Sequence, residues 1–380
     1  MAQHVDPSSN TDPLLFTPGP LTTSGSVKRA MQRDLGSRDQ RFVETVARIR
    51  ARLLALAGAE GDRFASILVQ GAGTFGIESV FASCTPPDGK WLIVANGAYG
   101  ERMVQMLDRL AVPCAVMRSP EDRPPEAAAV ASALDADSRI THLAIVHCET
   151  TTGIMNDIGA VGHVARERGR RYFVDAMSSF GAIEIDPDAC GIDYLVSSSN
   201  KCIEGVPGFS FVIARREALS STRGWARSLS LDLLASLEQF EKNGQFRFTP
   251  PTHAILAFDQ ALTELVDEGG VAARGARYRQ NREVLHRGMT SMGFRAFLDE
   301  AVQGPIISTY LLPEDGAFEF GDFYDYLSNR NLVIYPGKLT QAPSFRIGTI
   351  GRIAADDIER LLGAIADFLA ERGIHLDAGT

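Results

Sequence analysis

Cysteine is scarce in this chain, and what there is lies scattered. Five thiols (Cys84, Cys114, Cys148, Cys190 and Cys202) are spread over 380 residues without a CxxC pair. That argues against a disulfide framework or a zinc site and points to a reducing, cytoplasmic setting. The seven histidines form no HExxH. His142 and His147 fall at an odd interval, on opposite faces of one extended segment, so both read as structural and no metal is expected. Positive charge is in deficit: 38 − 47 = −9, so nothing global recruits nucleic acid or an anionic membrane. Long apolar runs are missing too. None approaches the ~18 residues of a membrane span, and the N-terminus lacks a basic-then-apolar leader. Met1 to Asp12 reads as a polar, frayed start.

What the chain has is glycine (35 residues), hydrophobic residues at 45%, and short apolar runs that alternate with helical periodicity. Its length allows a large core and exceeds one domain of ordinary size. We expect an extended N-terminal segment (1–24), a large domain (25–285) and a small C-terminal α+β domain (286–380). Runs at 65–70, 91–95, 115–117, 142–147, 171–175, 194–197 and 209–213 read as strands. Helical pattern fills the intervals, with helices expected at 77–83 and 102–110. That is an α/β class with a mainly parallel sheet covered on both faces. In the C-terminal part, 305–312, 332–335 and 344–348 read as strands, 320–330 and 356–372 as helices. In such sheets ligands sit at the carboxyl ends of strands, where the polar and glycine-rich loops of this chain fall.

Five such places can carry chemistry. Lys201 stands among small neutral residues after an apolar run. An amine in such surroundings loses its proton more easily and becomes a nucleophile toward carbonyls; taken alone, it reads more readily as a solvated loop lysine. Cys202 beside it reads as structural. Gly71-x-Gly73-x-x-Gly76 follows a strand and precedes a helix, as a dinucleotide fingerprint does. The acidic residue needed at the end of the next strand is absent, since that strand ends Ala95-Asn96. What survives is an anion cradle of backbone N–H groups with the Thr74 hydroxyl, or a plain tight turn. This disfavours a nucleotide-dependent oxidoreductase, which also leaves Lys201 without a task. Asp175 ends a strand 26 residues before Lys201 and serves either as a counter-charge or as a turn cap. Tyr99 lies between glycines, free to present its ring or to join the core. Arg346, among apolar neighbours, suits a carboxylate or phosphonate by its forked donors, or an internal ion pair. An anion cradle, an aromatic plate, a carboxylate, a lysine and an arginine together make the kit for pyridoxal 5′-phosphate.

The motifs go further. Leu14-Leu-Phe-Thr-Pro-Gly-Pro-Leu-Thr-Thr23, Gln70-Gly-Ala-Gly-Thr74, Asn96-Gly-Ala-Tyr-Gly100, His147-Cys-Glu-Thr-Thr-Thr-Gly153, Asp175-Ala-Met-Ser-Ser179, Asn200-Lys-Cys-Ile-Glu-Gly-Val-Pro-Gly208, Phe246-Arg-Phe-Thr-Pro-Pro-Thr-His253 and Phe345-Arg-Ile-Gly348 resemble the class V aminotransferases of fold type I. Within them they resemble the 2-aminoethylphosphonate–pyruvate transaminases, from about Leu14 to the last helix. The resemblance implies a pyridoxal-phosphate-dependent transferase with a seven-stranded-type sheet, acting on 2-aminoethylphosphonate and pyruvate as a homodimer. It assigns catalysis to Lys201 and Asp175. Ala72, Gly73, Thr74, Tyr99, Thr151, Met177, Asn200 and Thr249 join them around the cofactor, with Thr249 reaching the neighbouring subunit's phosphate. Arg346, Arg38 and Thr22 fall to the substrate. Two positions depart from the pattern: Ala72 where serine is common, and Arg38 where tryptophan is expected. The second leaves an alanine–glyoxylate or serine–pyruvate type of aminotransferase as the alternative.

Overall fold

The computed structural model describes residues 12–376, so all but the last residue of the expected frayed start lies outside it. Seven strands form the central sheet: β1 (Phe64–Gln70), β2 (Trp91–Ala95), β3 (Cys114–Arg118), β4 (His142–Val146), β5 (Arg171–Asp175), β6 (Tyr194–Ser198) and β7 (Phe209–Arg215). Their order is β1-β7-β6-β5-β4-β2-β3. Only β7 runs antiparallel to its neighbours. Every residue of β2, β4 and β6 is buried, which is why they read as unbroken apolar runs: helices must cover both faces. Register sets Asp175 level with Val146 on one side and Val196 on the other, so its carboxyl group leaves the sheet at the common carboxyl edge.

Two helices begin earlier than periodicity suggests, at Gly73 and at Ala98. The glycines that read as loop are close-packing positions in the first helical turns. A Cβ on Gly73 would lie 2.4 Å from the Met177 thioether, and one on Gly100 would lie 2.8 Å from the Ala95 Cα. The segment 332–335 is likewise two strands rather than one. Leu332–Val333 pairs in parallel with Leu14–Leu15, whereas Tyr335–Pro336 pairs with Ser344–Gly348. The chain changes sheets between them so that Leu332 and Ile334 enter the same core, and Pro336, lacking an N–H, takes an edge.

That second core gathers Phe16, Phe294, Phe318, Phe323, Phe345 and Phe368, apart from the one around the seven-stranded sheet. Three antiparallel strands and the helices Phe320–Ser328 and Ala355–Arg372 enclose it. The helix Gly270–Ser291 reaches from one core to the other. Near its start Arg274, fully buried, donates to the Cys202 carbonyl (2.6 Å) and to Glu268 (2.7 Å). Arg277 donates to Glu204 (2.7 Å) and to the Gly351 carbonyl (2.6 Å), and Tyr278 donates to Glu204 (2.6 Å). The loop after Lys201 is thus tied through one helix to the turn after the Arg346 strand.

Close packing also fixes the helix Ile158–Glu167 against the loop before β6. A Cβ at Gly162 would stand 1.8 Å from the Cys190 carbonyl oxygen. Alanine gains up to about 1 kcal/mol in helix propensity, but overpacking against backbone costs ~1–3 kcal/mol or more. Gly162→Ala is therefore expected to lower the denaturation midpoint in urea; a rise would show that this contact gives way freely.

Candidate active site

A cavity of about 220 Å³ opens at the carboxyl ends of β1, β2, β4, β5 and β6, and Ala72, Gly73, Thr74, Tyr99, Asp175, Met177, Asn200 and Lys201 all line it. Eight of the residues singled out from the sequence therefore converge from four strand ends. Lys201 follows β6, and its Nζ donates to the carbonyl of Pro18 at 2.6 Å and, more weakly, to that of Gly19 at 3.4 Å. Burial pulls its pKa below the ordinary lysine value, which makes the free amine more accessible. A side chain on Gly19 would strike Lys201 Cδ at 2.7 Å, and Gly19 has φ +107°, so glycine there admits the lysine.

Asp175 is buried at the end of β5 and accepts the Met177 N–H at 2.8 Å. Burial pushes its carboxyl up to about 7, against the pull of that hydrogen bond, and Glu149 adds to the rise. Lys201 and Arg102 act on it only through space. It is a carboxylate facing a cavity without a contacting cation, costly unless something cationic enters. Opposite, the helix Gly73–Cys84 starts with Ala72 at its N-cap and no side-chain cap, so its first N–H groups point free toward the cavity. An anion at that terminus satisfies them and meets the positive end of the helix dipole.

Tyr99 sits in the first turn of the helix Ala98–Arg109, with the Arg102 guanidinium 4.8 Å and Lys338 Nζ 4.9 Å from its ring centroid. Burial acts to raise its pKa, but Lys201, a hydrogen bond with Thr150, Lys338 and Arg346 together hold the phenol below its ordinary value. Arg346 is buried one layer behind. Its Nε donates to the Pro336 carbonyl at 3.0 Å and its Nη1 to the Thr150 carbonyl at 2.8 Å, and burial lowers its pKa.

Glu149 is the residue that sequence reading passed over, although it stood within a quoted motif. It is fully buried. One carboxylate oxygen accepts the N–H groups of Tyr99 and Gly100, both at 3.2 Å, and the other accepts the Thr151 N–H at 3.0 Å and hydroxyl at 2.6 Å. The Thr151 hydroxyl in turn accepts the Ala98 N–H at 2.8 Å. The helix bearing Tyr99 follows Gly97, which carries no capping side chain, and is capped from another loop. Gly97 leaves room for this, since a Cβ there would lie 2.4 Å from Glu149 Cγ. A buried acid accepting four donors, beside a glycine, is the signal that could have found it.

Besides Arg346, four expected residues lie outside the cavity lining. Thr151 is one layer back, its hydroxyl engaged as a cap. Thr22 accepts the Leu15 N–H at 2.8 Å and supports the N-terminal segment instead of lining the cavity. Thr249 and Arg38 share a separate surface hollow of about 660 Å³ with Leu229 and Phe248. The Thr249 carbonyl accepts from Gln70 at the end of β1 (2.7 Å). His142 and His147 are buried and held neutral by burial, the first against the Trp91 ring at 4.5 Å.

The Asp175 carboxyl yields a stability prediction for cofactor-free protein. Its folded pKa of about 7 lies above its ordinary 3.8, so its charge destabilises the fold increasingly as pH rises from 4 to 7, fully so above 7, by at most about 4 kcal/mol. Asp175→Asn is therefore expected to be more stable than wild type in urea at pH 8, with the gap shrinking at pH 4.5. Equal gaps at both pH values would refute the assignment.

Comparison with known proteins agrees with this geometry. The model of the family "Aminotransferase class-V" matches residues 23–352. A 2-aminoethylphosphonate–pyruvate transaminase of Syntrophobacter fumaroxidans is 48% identical over 95% of this chain and 97% of its own length. The enzyme of that name from Salmonella schwarzengrund is 49% identical over 93% and 96%. Among solved structures, an alanine–glyoxylate aminotransferase from Nostoc superposes with a TM-score of 0.87 at 25% identity, covering 96% of this chain and 97% of its own. A pyridoxamine–pyruvate aminotransferase from Mesorhizobium loti has the same TM-score at 23%, covering 98% and 95%; at that identity it speaks for the fold alone. Matched by the family model over most of its length, and near half identical to these enzymes from end to end, the chain belongs to the class-V aminotransferases, in the group of the 2-aminoethylphosphonate–pyruvate transaminases.

Proposed function

We propose that this protein transfers the amino group of 2-aminoethylphosphonate to pyruvate, giving phosphonoacetaldehyde and L-alanine, with pyridoxal 5′-phosphate as cofactor. The observation that carries the cofactor is the pairing of Lys201 with Asp175 on adjacent strands of one cavity, opposite the uncapped helix start at Gly73 and Thr74. When bound, the cofactor supplies an aldehyde for amine capture and a ring that accepts electrons. Gly73 and Thr74 N–H groups would hold its phosphate, with Asn200, Met177 and Tyr99 around the ring. Thr151 would act from behind, through the cap it shares with Glu149. Ala72 brings no hydroxyl to the phosphate. The absent hydrogen bond to a charged group is worth about 1.5–3 kcal/mol where nothing replaces it.

In the reaction Lys201 carries the proton. Its amine, held in the free-base form by burial, would take a proton from the substrate carbon that bears nitrogen and would later give one back, first base and then acid. Asp175, as an anion, would hold the ring nitrogen protonated, and that positive charge would bring the carboxyl back down from its raised pKa. Arg346 faces the anionic end of each substrate in turn, which suits a two-stage cycle with one binding place. The outer hydrogens of its Nη atoms remain for that task, since Nε and one Nη1 hydrogen serve carbonyls.

We also infer a homodimer, a division into segments 1–24, 25–285 and 286–380, and a cytoplasmic location. The exposed apolar side chains Leu229 and Phe248 beside Thr249 and Arg38 support the dimer, because an apolar patch at a site's rim favours a second copy. The separate cores on either side of the helix Gly270–Ser291 support the division, and unpaired thiols support the location. Among the described residues no helix is long and apolar enough to cross a membrane.

Purified protein is expected to be yellow and to lose that band with 2-aminoethylphosphonate far faster than with serine, while Lys201→Ala abolishes amino transfer. Equal bleaching by serine would favour the serine–pyruvate alternative; a colourless protein indifferent to Lys201→Ala would end the cofactor reading. If Thr249 acts across the dimer, mixing Lys201→Ala with Thr249→Ala subunits regains activity, because one site of each hybrid is intact. No recovery after verified subunit exchange would place Thr249 in its own subunit's site.

A further inference from the structure

The two amino donors of the proposed reaction differ at their anionic ends. A carboxylate has two oxygens and one charge, which one guanidinium fork satisfies. A phosphonate has three oxygens and, by analogy with a phosphate monoester, more than one negative charge at neutral pH. Arg346 alone does not cover that difference, because two of its nitrogens already donate to the Pro336 and Thr150 carbonyls. A second cation stands close by. Lys338 is exposed on the loop between the strands Tyr335–Pro336 and Ser344–Gly348, the pair that places Arg346 opposite Tyr335. Its Nζ lies 3.5 Å from the Tyr99 hydroxyl, and the Arg346 guanidinium acts on the same phenol, helping to lower its pKa. Both cations therefore act on one phenol that lines the cavity.

The loop that carries Lys338 is anchored at both ends. Gly337 N–H donates to the Ser344 carbonyl at 2.9 Å, and a Cβ on Gly337 would lie 2.1 Å from Ser344 Oγ, so the turn closes tightly. Further on, the Thr340 N–H and hydroxyl both donate to Glu121, each at 3.3 Å. Lys338 itself holds no carboxylate within ion-pair distance among the described residues; its polar contact is the Tyr99 hydroxyl. A lysine held over a site by an anchored loop, without an acid to neutralise it, is a cation awaiting an anion.

We propose that Lys338 is the specificity-determining residue for the phosphonate end, adding to Arg346 the second positive charge that a phosphonate needs and a carboxylate does not. The proposal rests on the reading of 2-aminoethylphosphonate as substrate and deepens it. Lysine serves here as a point charge that follows whichever phosphonate oxygen is left over, whereas the fork of Arg346 fixes orientation.

The test compares the two half-reactions in the holoenzyme, followed by the cofactor's visible band, for wild type, Lys338→Gln and Lys338→Arg. Loss of the lysine charge is expected to raise KM for 2-aminoethylphosphonate at least tenfold while that for L-alanine changes less than twofold, and arginine is expected to restore most of the difference. Calorimetry on the same holoenzymes with ethylphosphonate and propionate, which cannot react, is expected to show the same split in Kd. Equal losses for both anions, or no loss for either, would overturn the proposal. If wild type fails to convert 2-aminoethylphosphonate while ethylphosphonate binding still depends on Lys338, the activity reading falls and the lysine's role stands.

Discussion

The contact on which the site depends is the one between Lys201 Nζ and the carbonyls of Pro18 and Gly19. It brings together two parts of the chain that are 183 residues apart and belong to different cores. Lys201 hangs from β6 of the large sheet. The segment before Pro18 is a short strand paired with Leu332–Val333, with Phe16 inserted in the second core. The Lys201 amine is therefore held where the two cores meet. Its other side is tied down by the buried Arg274 under Cys202 and by Arg277 and Tyr278 on Glu204. Breaking such a buried charge network is far costlier than breaking a surface pair, so the network gives the lysine loop a stiff floor that a surface turn lacks.

A second constraint comes from Glu149. By accepting N–H groups from the start of the Tyr99 helix and from its own turn, it binds the aromatic plate to the Glu149–Thr151 turn. The next carbonyl in that turn, of Thr150, receives the Arg346 guanidinium. Tyr99 and Arg346 are thus placed relative to each other by three consecutive residues. A carboxylate accepting several N–H groups is held as an anion by them, yet burial wins in net direction here and raises the Glu149 pKa. The same burial raises Asp175, which has one N–H donor where Glu149 has three and a hydroxyl.

Much of this was legible in the sequence because the physics is local. Strands buried on both faces read as continuous apolar runs, and their carboxyl ends were where the polar loops fell, so Lys201, Asp175 and Thr74 could be placed in one region before any coordinates. Glycine was misread where it starts helices. A glycine chosen for close approach, as Gly73 is against Met177, cannot be told by composition from one chosen for a turn. Glu149 was hidden for a related reason: its task is to cap a helix 50 residues away, and no spacing rule reaches across strands. Thr22 and Thr151 show the converse. Their places in the motifs drew them into the site, whereas their hydroxyls serve Leu15 and the Tyr99 helix.

The charges of the site explain why an acidic chain can serve anionic substrates. Net charge counts every surface acid, but a bound anion feels what lies within about a Debye length and is shielded by low-dielectric walls. Around this cavity Lys201, Arg102, Arg346 and Lys338 all act on Tyr99 or Asp175. Glu149 already serves four donors, so it attracts no mobile cation. Asp175 alone faces the cavity with capacity to spare, and it does so from a rigid strand end between Val146 and Val196. Placed so, its charge would favour a cationic ligand, because a neutral one would leave a buried carboxylate unpaired. The raised pKa of Asp175 and the lowered pKa of Lys201 therefore have one origin, burial at the sheet edge, which disfavours the charged form of each.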